Sequence, residues 1–202
     1  PNMLEIYQIP VLNDNYIYLI IDAKTGKTAC VDPATHEPVI EKLEELDKKL
    51  DFILNTHHHW DHVGGNKELK DAYPNLKIYG HESDRGRIPE QNVFLKKGDA
   101  VCFGMESGTF IHNPGHTSGA VTYVFNKNAF TGDTLFAAGC GRLFEGTPEQ
   151  MYDSLNKKIG ELPGDTKIFF GHEYTEVNLN FALNVEPKNA EIIKKLAKIK
   201  LL

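Results

Sequence analysis

The chain has 202 residues, of which 41% are hydrophobic, and a formal net charge of −6. That supports one sizeable domain with a real core, and an acidic chain with no dense basic patch excludes nucleic acid as the main partner. The apolar run Ile17–Ile21 is too short to span a membrane, and no charged stretch followed by an apolar one marks a secretory signal.

The three cysteines, Cys30, Cys102 and Cys140, are widely spaced and form no CxxC pair. They point to a reducing, cytoplasmic setting, and each reads as a small buried hydrophobe.

In chain order, Leu4–Ile9 and Tyr16–Ile21 are rich in β-branched and aromatic residues and predict strands, as does Thr28–Val31, which ends at Asp32-Pro33. Glu37–Leu50 places Val39, Ile40, Leu43, Leu46 and Leu50 on one helical face. Phe52–Leu54 is a short buried strand, Asn66–Ala72 a helix and Leu76–Tyr79 a strand. The middle is strand-rich: Ala100–Phe103, Gly108–Asn113, Ala120–Asn126 and Asn128–Phe130. A helix runs over Pro148–Ile159 with Pro148 in its first turn, a strand over Lys167–Phe170, and the remainder is helical. Two strand-rich halves flanked by helices imply an α+β fold, a four-layer αββα sandwich.

The strand Phe52–Leu54 leads into Thr56-His57-His58-His59-Trp60-Asp61-His62, which holds four of the nine histidines. Imidazole and carboxylate are ligands for zinc, iron and manganese. Three more places repeat the pattern of apolar strand, glycine turn and donor: Pro114-Gly115-His116, Gly132-Asp133 and Gly171-His172. His57, His59, Asp61, His62, His116, Asp133 and His172 are too many for one tetrahedral zinc and suit two adjacent metals. Extended backbone puts His57 and His59 on one side and His58 on the other. His57 and His59 therefore go to one metal, Asp61 and His62 to the second, and Asp133 is the candidate bridge. His58 is set aside with a hydrogen-bonding role at most. His36, His81 and His112 read as ordinary structural histidines.

The HxHxDH core resembles the metallo-β-lactamase superfamily. The longer THHHWDHVGGN, with NDNYIYLI, VDPA, PGHTSGA, FTGDTLFAAGCGRLFEGT and GHEYT in order, is similar to the glyoxalase II group, the hydroxyacylglutathione hydrolases. The resemblance implies an αββα catalytic domain over residues 1–174. One metal would take His57, His59 and His116, and the other Asp61, His62 and His172. Asp133 would bridge, with Asp61 and Asp133 the catalytic carboxylates. It further implies two divalent ions, zinc above all with iron or manganese as alternatives. The implied reaction is hydrolysis of S-D-lactoylglutathione to D-lactate and glutathione through a hydroxide held between the metals. Arg142, Phe144 and Tyr174 stand where the family contacts glutathione, Phe144 at a position that is Tyr in some members.

The family carries a helical C-terminal domain, of which residues 175–202 correspond to the beginning. The expected state is a monomer or weak dimer acting on a small glutathione thioester, with neither nucleic acid nor membrane as partner. Three other readings fit the donors: another hydrolase of the superfamily, a mononuclear-iron persulfide dioxygenase, or a non-catalytic metal-binding domain.

Overall fold

The computed structural model describes residues 4–136 and 139–200. The first three residues of the expected 1–174 unit, Ala137 and Ala138 of the FTGDTLFAAGCGRLFEGT motif, and the last two residues of 175–202 lie outside the described residues.

The chain opens with an antiparallel pair, β1 (Leu4–Val11) and β2 (Asn15–Asp22), followed by β3 (Thr28–Val31). Helix α1 (Glu37–Glu45) crosses to β4 (Phe52–Leu54), and α2 (Trp60–Val63) and α3 (Asn66–Ala72) cross to β5 (Lys77–His81) and then β6 (Val93–Leu95). The first sheet has the order β1-β2-β3-β4-β5-β6 and is parallel from β3 onward. The second half supplies β7 (Ala100–Phe103), β8 (Glu106–His112), β9 (Val121–Phe125) and β10 (Asn128–Gly132). A ribbon of β11 (Leu135–Phe136) and β12 (Gly139–Cys140), helix α4 (Pro148–Tyr152) and strand β13 (Lys167–Phe170) follow. The second sheet has the order β13-β10-β9-β8-β7, with β13 parallel to β10. Helices α5 (Thr175–Val185) and α6 (Ala190–Lys200) close the described chain.

Strand β2 shows why the sheets stack. Its residues alternate: Ile17 and Leu19 join a cluster with Val39, Leu43 and Leu69 of the helices, while Tyr18 and Ile20 join Phe103, Tyr123, Phe125 and Phe130 of the second sheet. Both faces are covered, so the run is apolar throughout. Phe130 stacks on Phe169 at 4.9 Å and meets Tyr18 edge-on at 5.6 Å. Burying each such ring contributes roughly 2–3 kcal/mol. The result is the expected α+β sandwich, with two sheets face to face and helices outside.

The sheets are also stitched at one corner. Tyr16 N–H donates to Gly171 O at 2.9 Å, Glu173 N–H to Asp14 O at 2.8 Å, and the Tyr18 hydroxyl to Phe170 O at 2.7 Å. Asn15 and His172 form an isolated antiparallel bridge there.

Several expectations need correction. Helix α1 stops at Glu45 rather than Leu50, because Asp47 turns left-handed (φ 53°) and Lys48 N–H closes on Leu43 O at 2.9 Å. The fifth strand begins at Lys77, and β6 and α2 were not foreseen. The helix expected over Pro148–Ile159 is α-helical only to Tyr152, then widens into a π-turn over Asp153–Lys158. Cys30 is buried, but Cys102 and Cys140 are exposed. Among the described residues no helix is long and apolar enough to cross a membrane.

Candidate metal centre

Four strand ends deliver the donors. Beyond β4 the chain bends at Thr56 and is extended again at His59, then α2 begins at Trp60 and puts Asp61 and His62 on one helical turn. His116 follows β8. Gly132 turns with φ 56°, where a Cβ would strike Thr56 Oγ1, and releases Asp133. β13 lies parallel beside β10, so its end places His172 next to Asp133.

All seven donors meet. The donor atoms of His57, His59 and His116 lie within 4.8 Å of one another, as do those of Asp61, His62, Asp133 and His172. His116 Nε2 is 3.1 Å from His59 Nδ1. Asp133 stands between the sets: its Oδ2 is 3.0 Å from His62 Nε2, 3.5 Å from His116 Nε2 and 3.7 Å from His57 Nε2. Its Oδ1 is 2.6 Å from His172 Nδ1, and Asp61 Oδ2 is 2.9 Å from His172 Nε2.

The donor set fits divalent cations. His57 Nε2 is buried without a hydrogen-bond partner, and an orphaned buried acceptor costs about 1–3 kcal/mol. The Thr56 amide and hydroxyl both donate to Asp32, at 2.7 and 2.6 Å. Thr56 Oγ1 therefore accepts from His57 Nδ1–H at 2.9 Å, which leaves the Nε2 lone pair aimed inward. Asp32 Oδ2 also accepts from His62 Nδ1 at 3.0 Å. His116 Nδ1 donates to Arg142 O at 2.8 Å. Fixing each ring by its outer nitrogen is how metal-ligating histidines are held.

Electrostatics agree. Burial, then the neighbouring His62, keeps His57 well below its ordinary value. Burial, then His116, lowers His59 to about 4. Both rings are neutral, the form that ligates. At His62 the effect of burial is reversed by Asp133 and Asp32, which hold the ring well above its ordinary value. At His172 burial is again outweighed, by Asp133 and Asp61, and the value rises to about 9. The protons on these two rings lie between carboxylates, where a divalent cation would displace them.

The centre opens onto a cleft of about 770 Å³ lined by His59, Asp61, His116, Asp133 and His172, together with Trp60, Arg142, Phe144 and Tyr174. Phe144 meets His59 and His116 edge-on at 5.4 and 5.3 Å. Tyr174 stacks on His172 at 5.2 Å. Among the described residues the Arg142 guanidinium has no hydrogen-bond or ion-pair partner, and the residue is exposed. Gly141 lets this wall approach, since a Cβ there would collide with Asp133 O.

Asp32, Thr56 and Asn15 had not been singled out as site residues. Asn15 Nδ2 donates to Asp61 O at 3.0 Å. Asp32 is 3% exposed with φ 50°, a backbone that Asp tolerates better than most residues. Its position directly after an apolar strand, like the other donors, was the available signal. His58 points away from the cluster, with Nδ1 3.7 Å from Asp84 Oδ1. His81 stacks on His112 at 4.0 Å, and neither, nor His36, joins a donor group among the described residues.

The sandwich and the clustered histidines and aspartates define a metallohydrolase-type scaffold with a divalent metal site. The metallo-beta-lactamase superfamily profile matches residues 12–172. A protein of Trichodesmium erythraeum named hydroxyacylglutathione hydrolase is 51% identical over 204 residues, spanning 98% of this chain and 79% of its own. Among solved structures, BLEG-1 B3 metallo-beta-lactamase superposes with TM-score 0.77 at 25% identity, over 83% of this chain and 91% of that one. A di-iron-bound form of TTHA1623 superposes with TM-score 0.66 at 26% identity, over 83% and 91%. The chain belongs to the metallo-beta-lactamase superfamily and, within it, to the hydroxyacylglutathione hydrolase family.

Proposed function

We propose that the protein hydrolyses S-D-lactoylglutathione, and S-2-hydroxyacylglutathiones generally, to the hydroxy acid and glutathione, the second step of methylglyoxal detoxification. The observation that carries this reading is the position of Asp133, within 3.7 Å of donors from both sets at the floor of a cleft walled by Arg142 and Tyr174. In this reading His57, His59 and His116 would hold one divalent ion, Asp61, His62 and His172 a second, and Asp133 would be available to both. Zinc would be preferred over iron or manganese for a nitrogen-rich set. When bound, such a pair supplies a water acidified towards neutral pH and Lewis acidity at the thioester carbonyl.

The protein's own side chains do the rest. Asp61 lies at the cleft wall, where its carboxylate accepts and orients a proton of the attacking water. Arg142 presents a planar fork to a glutathione carboxylate, and Tyr174 offers a hydroxyl and a ring face. Phe144 packs an apolar edge over the donors and limits water there. A thiolate leaves without help from a strong acid, since a thiol pKa is about 8.5, so the site requires no proton donor for the leaving group. In this reading residues 1–174 make up the catalytic unit, followed by α5 and α6 within 175–202.

The test is thioester loss from S-D-lactoylglutathione, followed with metal-replete protein and a chelated control. Rapid loss that depends on metal is expected. Equal rates in the two samples reject the reading.

A further inference from the structure

Arg87 joins three segments that are distant in the chain. Its Nη2 donates to Asp84 Oδ1 at 2.6 Å and to Ser118 Oγ at 3.1 Å, and its Nη1 donates to Glu145 Oε2 at 2.6 Å. Glu145 Oε1 accepts from the Ser118 amide at 3.0 Å. Asp84, at the base, is fully buried, and a Cβ at Gly119 would run into its carboxylate. One guanidinium thus ties the segment after β5 to the loop bearing His116 and to loop 141–147, which bears Arg142 and Phe144.

Loop 141–147 has few other anchors. Arg142, Leu143, Phe144 and Glu145 are all exposed. Apart from Gly141 N–H to Thr134 O at 3.4 Å, the backbone ties, Arg142 O to His116 Nδ1, Phe144 N–H to His116 O and Gly146 N–H to Gly115 O, run to the His116 loop. Between 142 and 145, Glu145 is the one side chain with a polar partner among the described residues.

We propose that Glu145 and Arg87 are a positioning pair for the substrate. By holding loop 141–147 against the His116 loop, they keep Arg142 and Phe144 facing the cleft, and so set affinity for the glutathione portion rather than the rate of the bond-breaking step. The kinetic part rests on the thioesterase reading; the loop-holding part does not.

The experiment uses the metal-replete protein and the E145Q variant, which keeps an oxygen for Ser118 but removes the charge facing Arg87. Three readouts are taken: amide exchange over 141–147, binding of S-methylglutathione followed through Trp60, the chain's one tryptophan and a residue of the cleft wall, and steady-state kinetics on S-D-lactoylglutathione. Expected are faster exchange confined to the loop and S-methylglutathione Kd and KM raised by roughly two- to fivefold, the effect of one partly exposed ion pair. Metal content and kcat stay unchanged. The double variant R87M/E145Q weakens S-methylglutathione binding no more than the worse single variant does, because the two residues act through one contact. Unchanged exchange and Kd in E145Q, or a fall in kcat together with metal loss, overturn the proposal. A wild-type protein inactive on the thioester, whose E145Q form still frees the loop, rejects the reaction and upholds the pair.

Discussion

One carboxylate oxygen, Asp32 Oδ2, accepts both the His62 Nδ1 proton at 3.0 Å and the Thr56 hydroxyl at 2.6 Å. It thereby orients a histidine of each donor set, His62 directly and His57 through Thr56. Asp32→Asn keeps the left-handed backbone, which Asn tolerates, but puts an amide where an acceptor can stand. A 10- to 100-fold loss of metal affinity is expected, the usual cost of removing such a partner, in competition titrations against a chelator. Wild-type affinity would show that the rings hold their orientation unaided.

Asp133 is the group common to both donor sets. Asp133→Asn should lower metal content and thioesterase rate together, read by elemental analysis and steady-state kinetics on the same sample. Two metals retained at full rate would remove the bridging role.

Arg142 is the cleft's exposed cation with no partner among the described residues. Arg142→Met keeps the length and apolar stem while removing the fork. KM for the glutathione thioester should rise by roughly five- to tenfold, as expected for a charged hydrogen bond partly screened by water, with metal content unchanged. A similar KM for a thioester lacking the glutathione carboxylates would place the contact on those groups.

Acid should loosen the substrate loop before it unfolds the core. Burial would raise the Glu145 carboxyl, but Arg87 and the Ser118 amide hold it at about 2, below its ordinary 4.5. A depressed carboxyl stabilises the folded form above its unfolded value and loses that contribution as pH falls through the folded one. The loop's share is therefore complete above about pH 4.5 and fades towards pH 2. Trp60 emission should track this in wild type and lose the step in E145Q.

The narrow gap between Gly141 and Asp133 sets a steric limit. In Gly141→Ala the new methyl meets the backbone carbonyl of Asp133, which cannot rotate away. A loss of about 1–3 kcal/mol in thermal stability is expected, together with lower activity, because the displaced segment carries Arg142. An unaltered melting temperature would mean that loop 139–147 can retreat freely.

Much of this was legible from local signals. Thr28–Val31, Phe52–Leu54 and Lys167–Phe170 are strands with the expected ends, because short apolar runs bounded by turn residues leave little choice. The seven donors stood out because each follows such a strand. What stayed hidden depends on partners far along the chain. Asp32 alone reads as a turn former, and only Thr56 and His62 give it work. Helix α2 was missed because three histidines before it suggest a loop, and β6 because three residues carry too little pattern. The π-turn after Tyr152 has no signature in composition. Arg87 and Glu145 are 58 residues apart and meet only once the chain has folded.

The corner where Asn15 bridges His172 has a consequence for how the chain matures. His172 lies 111 residues beyond its partner Asp61 and follows β13, the last strand among the described residues. Contacts at such separation form late, since loop closure opposes them. On the ribosome, a chain exposed only through β12 would own four of the centre's five histidines but lack the fifth, His172. A metal held by these donors would thus close the centre only once β13 docks, tying the two sheets together at that corner.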